Sequence, residues 1–158
     1  MKNKILLVGL FCCSLVSTEA QVLLDKNAGK NSFPIVSPAA NVVVCFDGKD
    51  ETVVRKSVTL FADDVRRVTG QDLKTQTSNP GDVSARYAII VGTVGKSAWI
   101  NALVAKKKID TTPITGGWER YMIETVDNPA PGIKKAIVVA GSDLSLIHIS
   151  EPTRLQLI

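Results

Sequence analysis

Two apolar runs of strand length enclose one strongly amphipathic helical stretch, and that succession confines the chain to an α/β fold. Asn41 to Phe46 is continuously apolar and rich in β-branched residues, the pattern of a buried strand. Asp47-Gly48-Lys49-Asp50 turns the chain and puts Asp50 where a helix cap is wanted. From Glu51 to Thr69, Val54, Val58, Phe61, Val65 and Val68 recur at spacings of four, three, four and three, so they line one face. Arg55, Lys56, Asp63, Asp64, Arg66 and Arg67 fill the rest, and Gly70 supplies the stop. Arg86 to Val91 is the second buried run.

The remaining elements follow from the same periodicities. Leu73, Thr75 and Thr77 alternate with Lys74 and Gln76, as in a half-exposed strand. Ser78-Asn79-Pro80-Gly81-Asp82 breaks the chain. A second helix is predicted from about Lys96 to Lys107, with Ile100, Leu103 and Val104 inward. Glu119 to Val126 and Lys134 to Ala140 are two further strands, joined by the proline-rich stretch Asp127 to Gly132, and Phe33 to Val36 is a short edge strand. The order β-α-β-β-α-β-β predicts a two-layer α/β sandwich, a mixed sheet with helices packed on at least one face.

Both ends of the chain stand apart from this pattern. Lys2 and Lys4, the apolar stretch Ile5 to Val16, and the small residues Thr18 and Ala20 before Gln21 read as a secretory signal peptide cleaved after Ala20. That implies a secreted or periplasmic protein. The apolar run falls short of the roughly 20 residues of a membrane span. Cys12 and Cys13 raise a lipoprotein alternative, but Phe11 and Cys12 stand where a small residue should precede a lipidated cysteine. At the other end, Leu144 to Arg154 back-translates into a sequence that resembles the transposon-end adapter used to fragment DNA for sequencing. On that reading residues 144–158 are a non-native tail, and it contains the one histidine, His148. Residues 21–143 remain, about 120 residues and one domain's worth of chain.

Within that domain the chemistry-bearing residues are sparse. The composition is ordinary for a globular protein, 45% hydrophobic and 22% charged, with a formal net charge of +4 over the whole chain. The densest basic cluster, Lys106-Lys107-Lys108, suits the end of a helix, and no interleaved basic and aromatic pattern points to nucleic acid. Cys45 sits in an apolar run and reads as a buried, inert thiol. Cys45 is the domain's one cysteine and the domain holds no histidine, so neither a disulfide nor a cysteine–histidine zinc site can be built in it. Asp63 and Asp64 diverge by about 100° on their helix and do not converge on one substrate atom. Gly92-Thr93-Val94-Gly95-Lys96-Ser97 follows a strand and opens a helix, the context of a phosphate-binding loop, yet Ile90 stands where that loop needs its first glycine. The plainer reading is a tight strand-to-helix turn, with no nucleotide, cofactor or metal.

Three segments carry a family resemblance. Ala88-Ile89-Ile90-Val91-Gly92-Thr93, Gly117-Trp118-Glu119-Arg120-Tyr121-Met122-Ile123 and Ala136-Ile137-Val138-Val139-Ala140-Gly141-Ser142-Asp143 resemble the N-terminal domain of glycoside hydrolase family 115, the secreted xylan α-glucuronidases. The resemblance covers most of Ser32 to Asp143. It implies a non-catalytic α/β accessory domain followed by a further helix and a (β/α)8 barrel that carries the active site, none of which is in this sequence. The implied reaction is inverting hydrolysis of α-1,2-linked (4-O-methyl)glucuronic acid from xylan, which calls for two carboxyl groups roughly 6.5–9.5 Å apart. Asp47, Asp50, Asp63, Asp64, Glu119, Glu124 and Asp143 are available carboxylates, but none takes either role, since such catalysts belong at barrel strand ends. Trp118, Arg120 and Asp143 are the candidates for contact with polysaccharide, beside Tyr121. The implied partners are the missing barrel of the same chain and, through the whole enzyme, glucuronoxylan. The alternative is a free-standing secreted carbohydrate-binding or interaction module.

Overall fold

The computed structural model describes residues 32–36 and 40–142. The proposed signal peptide and the tail both lie outside them. The element order is β1 (Val42–Phe46), α1 (Thr52–Thr69), β2 (Lys74–Thr77), β3 (Tyr87–Thr93), α2 (Ala98–Ala105), β4 (Tyr121–Ala130) and β5 (Ile133–Gly141). They build a mixed five-stranded sheet with two helices packed on it, in the spatial order β2-β1-β3-β5-β4. The first four strands are mutually parallel, and β4 closes one edge antiparallel to β5.

Strand β1 is buried along all five residues because it lies between two neighbours and under two helices. Its side chains alternate between two cores. Val43 and Cys45 join Ala88, Ile90, Ala136 and Val138 against Trp99, Ile100 and Leu103 of α2. Val42, Val44 and Phe46 join Ile89 against Val54 and Val58 of α1. The helices therefore sit on opposite faces of the sheet. That satisfies the need of parallel strands for cover on both sides.

Several local expectations change, each for a physical reason. The apolar stripe of α1 is only half used: Val54 and Val58 are buried, whereas Phe61 is exposed and Val68 is 85% exposed. Eighteen residues make a helix of about 27 Å, while five-residue β1 spans only about 17 Å. The last turns overhang the sheet. Asp50 does not cap α1. Glu51 is the N-cap, without a side-chain bond, and Asp50 ties Glu51 to β3 instead. In α2, Val104 is exposed, and Trp99 takes the inward place with its indole N–H donating to Ser78 O at 2.7 Å. Phe33 to Val36 is not a strand. Phe33 and Ile35 pack as side chains on the α1-side core, with the Phe33 ring edge-on to Tyr87 at 5.5 Å. β4 begins two residues later than expected because Glu119 has a left-handed backbone (φ 55°). It then runs on through Pro129, which an edge strand tolerates, with an irregularity between Asp127 and Ala130.

Helix α2 ends in a left-handed residue. Lys107 (φ 53°) donates its N–H to Val104 O and Lys108 donates to Leu103 O, closing the helix. A non-glycine residue there costs about 1–2 kcal/mol. Lys107→Gly is expected to raise stability by about 1 kcal/mol, read as a higher urea midpoint. A lower midpoint shows that the lysine side chain holds the turn. Cys45 gives a second test. Burial pushes its thiol up to about 11, against a smaller opposite pull from the Ser78 hydroxyl. The unfolded thiol ionises first, so its contribution to stability is complete below about pH 9 and falls as pH rises towards 11. Urea midpoints of the natural chain should drop more steeply between pH 8 and 10.5 than those of Cys45→Val, and parallel curves would contradict this.

Candidate functional site

The connections of β1 and β3 leave in opposite directions along the sheet. β1 leads through α1 to β2 on one side, and β3 leads through α2 towards β5 on the other. Such a reversal opens a crevice at the carboxyl ends of the two strands, the usual ligand position in an open α/β sheet. In this chain the crevice is occupied by the protein's own carboxylates. Asp47, directly after β1, is 8% exposed and is the one buried carboxylate among the described residues. It accepts from Lys49 N at 2.8 Å and from Ala98 N, the first residue of α2, at 2.8 Å. Asp50 accepts from Glu51 N at 2.7 Å and from Thr93 N, the last residue of β3, at 2.8 Å. Lys96 pairs with Glu51 across the same gap, which raises the Lys96 pKa.

This arrangement decides what the glycine-containing turn does. The start of α2 offers N–H groups and a positive dipole end, which favour an anion. Asp47 already fills that position. Gly92 has no side chain because a Cβ there would overlap the Ser97 hydroxyl, and Gly95 takes φ 80° to turn the chain into α2. The turn is a packing device of β3 on α2. The hydroxyls of Thr93 and Ser97 are buried there with no hydrogen-bond partner among the described residues. Sequence reasoning gave Asp47 no role. The signal was available in retrospect: two aspartates flank the first turn after a buried strand, where a reversal of strand order would bring them onto a second strand.

The sugar-contact candidates lie next to this crevice, at the same end of the sheet. Arg120 precedes β4. Its backbone N–H donates to Ser142 Oγ at 3.2 Å, and Ser142 N donates back to Arg120 O at 2.9 Å. Its guanidinium donates to Pro113 O at 3.1 Å, which fixes it to the loop before β4. Trp118 is 84% exposed and Tyr121 is also exposed, so neither packs into its own domain. Asp143 lies outside the described residues.

The Asp47 bridge is open to test. Asp47→Ala leaves two amide donors without their carboxylate, and a buried unsatisfied donor costs about 1–3 kcal/mol. A loss in that range is expected in urea unfolding, with Asp47→Asn losing less. An unchanged midpoint for Asp47→Ala would show that the bridge carries no stability.

No family model and no curated protein matches the chain. Among similar solved structures is one described as a family GH115 4-O-methyl-alpha-glucuronidase with specificity for decorated arabinogalactans. It is 25% identical over 70% of this chain, with a TM-score of 0.48. The matched region spans 13% of the length of that enzyme.

Proposed function

We propose that this chain is the N-terminal, non-catalytic domain of a secreted glycoside hydrolase that removes α-1,2-linked (4-O-methyl)glucuronic acid from xylan with inversion, the catalytic barrel lying further along the natural polypeptide. One observation carries the reading. The three segments that resemble family 115, far apart in sequence, lie side by side in the fold, on or beside the neighbouring strands β3, β5 and β4. Val91, Gly92 and Thr93 pair with Val139, Ala140 and Gly141. Gly141 pairs in turn with Tyr121, and Arg120 and Ser142 exchange hydrogen bonds. A resemblance scattered by chance has no reason to converge in space.

The carboxylates fit a supporting role. Inverting hydrolysis needs one carboxyl group to hold a proton and another to activate water. Asp47 and Asp50 each spend both oxygens on backbone N–H groups. Asp63 and Asp64 pair with arginines on the exposed side of α1. The exposed Trp118 and Tyr121 also suit the alternative of a free-standing binding module.

Sequencing the natural gene past codon 143 separates the two. Several hundred in-frame codons for a barrel support the enzyme reading, and a genuine stop near that point sinks it. Incubated with glucuronoxylan, the chain is expected to release no glucuronic acid; measurable release would place catalysis in this domain and overturn the assignment.

A further inference from the structure

The end of the sheet away from the crevice carries an open depression of about 540 Å³ walled by the β4–β5 turn, with Lys106, Asn128, Pro129, Pro131, Ile133 and Lys134 among its lining residues. Two cations face it and no carboxylate lines it. Lys107 and Lys108 continue the basic run from Lys106, and Lys134 N and Lys135 N both donate to Arg86 O, which brings Arg86 alongside. The carboxyl end of α2 contributes only about half a negative charge, so the lysines more than offset it. The nearest carboxylates of β4 are placed elsewhere: Asp127 stands opposite Lys135, and Glu124 lines a separate depression with Lys107 and Lys108.

The turn that walls this depression is stiff. Pro129 and Pro131 fix their own φ angles. Asn128 is left-handed (φ 50°), and Gly132 (φ 84°) leaves no room for a side chain, since a Cβ would sit 2.9 Å from Val83 O. Ala130 and Ile133 are buried and anchor it. A fixed concavity pays little ordering cost on binding.

We propose that this depression is a binding site for a uronate residue of an acidic polysaccharide. Lys106 and Lys134 hold the carboxylate, the Asn128 amide bonds a ring hydroxyl, and the exposed Pro131 faces the apolar side of the sugar. The preference for an anion follows from the lining residues alone. The choice of a sugar rests on the proposed function, and the site makes the accessory domain an anchor on uronate-decorated xylan.

Native affinity electrophoresis of the full chain tests the proposal. Gels contain glucuronoxylan, the same polymer after carboxyl reduction to neutral glucose units, or dextran sulfate. Retardation by glucuronoxylan is expected, at least tenfold weaker with the reduced polymer and weaker with dextran sulfate. Lys106→Glu/Lys134→Glu should abolish it with an unchanged circular dichroism spectrum. Lys56→Glu/Lys74→Glu, an equal charge change on α1 and β2, should not. No retardation, equal retardation by the reduced polymer or by the sulfated glucan, or equal loss in both double variants each overturns the site. None of these results bears on whether a barrel follows codon 143, so the two readings fail separately.

Discussion

Everything in this domain is arranged around the parallel pair β1 and β3. Each is buried in the middle of the sheet, and a parallel strand in that position needs apolar cover on both faces. One helix cannot provide it. Val42, Val44 and Phe46 point to α1 while Val43 and Cys45 point to α2, so the alternation along one five-residue strand obliges the helices to take opposite sides. The connections of β1 and β3 leave in opposite directions along the sheet in keeping with that division, and a crevice results between their carboxyl ends. Asp47 and Asp50 close the crevice by bonding across it, one to the start of α2 and one to the end of β3. The place where an α/β sheet commonly takes a ligand has become a structural joint.

The cover is uneven. Helix α1 packs over β1, β2 and β3. On the β5–β4 side of the same face, Tyr121 and Ile123 remain exposed. Ile123 stands opposite Val139, which is only partly buried at the margin of the α1-side core. Leu60 and Val68 are exposed on α1, and Trp118 just before β4. Single exposed apolar residues are ordinary, and the two that stand together are Tyr121 and Ile123, on one face of the edge strand β4.

The order of elements and both helices were legible in the sequence because they rest on periodicity, and periodicity reports which side chains are inward. What was not legible depends on lengths and partners. Val65 and Val68 continue the stripe of α1 faithfully, yet β1 and β2 are too short to lie under them. Val104 and Trp99 are both apolar, and choosing between them required knowing that Ser78 O waits to accept the indole N–H. Phe33 to Val36 has the composition of a strand but finds no free strand beside it. For the site, the resemblance-bearing segments could be named but their convergence could not, because strand order is not written in local pattern. The local pattern makes Asp50 a helix cap, although its second oxygen is committed to a residue 43 positions away.

The two ends of the sheet consequently differ in kind. At the carboxyl end of β1 and β3, acidic side chains are consumed by backbone donors and the surface nearby is aromatic. At the opposite end, Lys106 and Lys134 flank a rigid turn, with Arg86 beside Lys134. A net charge of +4 spread evenly would make neither feature. Exposed charges are screened beyond about 8 Å at physiological ionic strength, so each end presents its own character to what approaches it. A domain joined to an enzyme through its aromatic end would leave the basic end facing solvent, where a charged polymer can reach it. The two surfaces are separated by the length of the strands, so the proposed polysaccharide contact at the basic end and the proposed domain contact at the aromatic end would not obstruct one another.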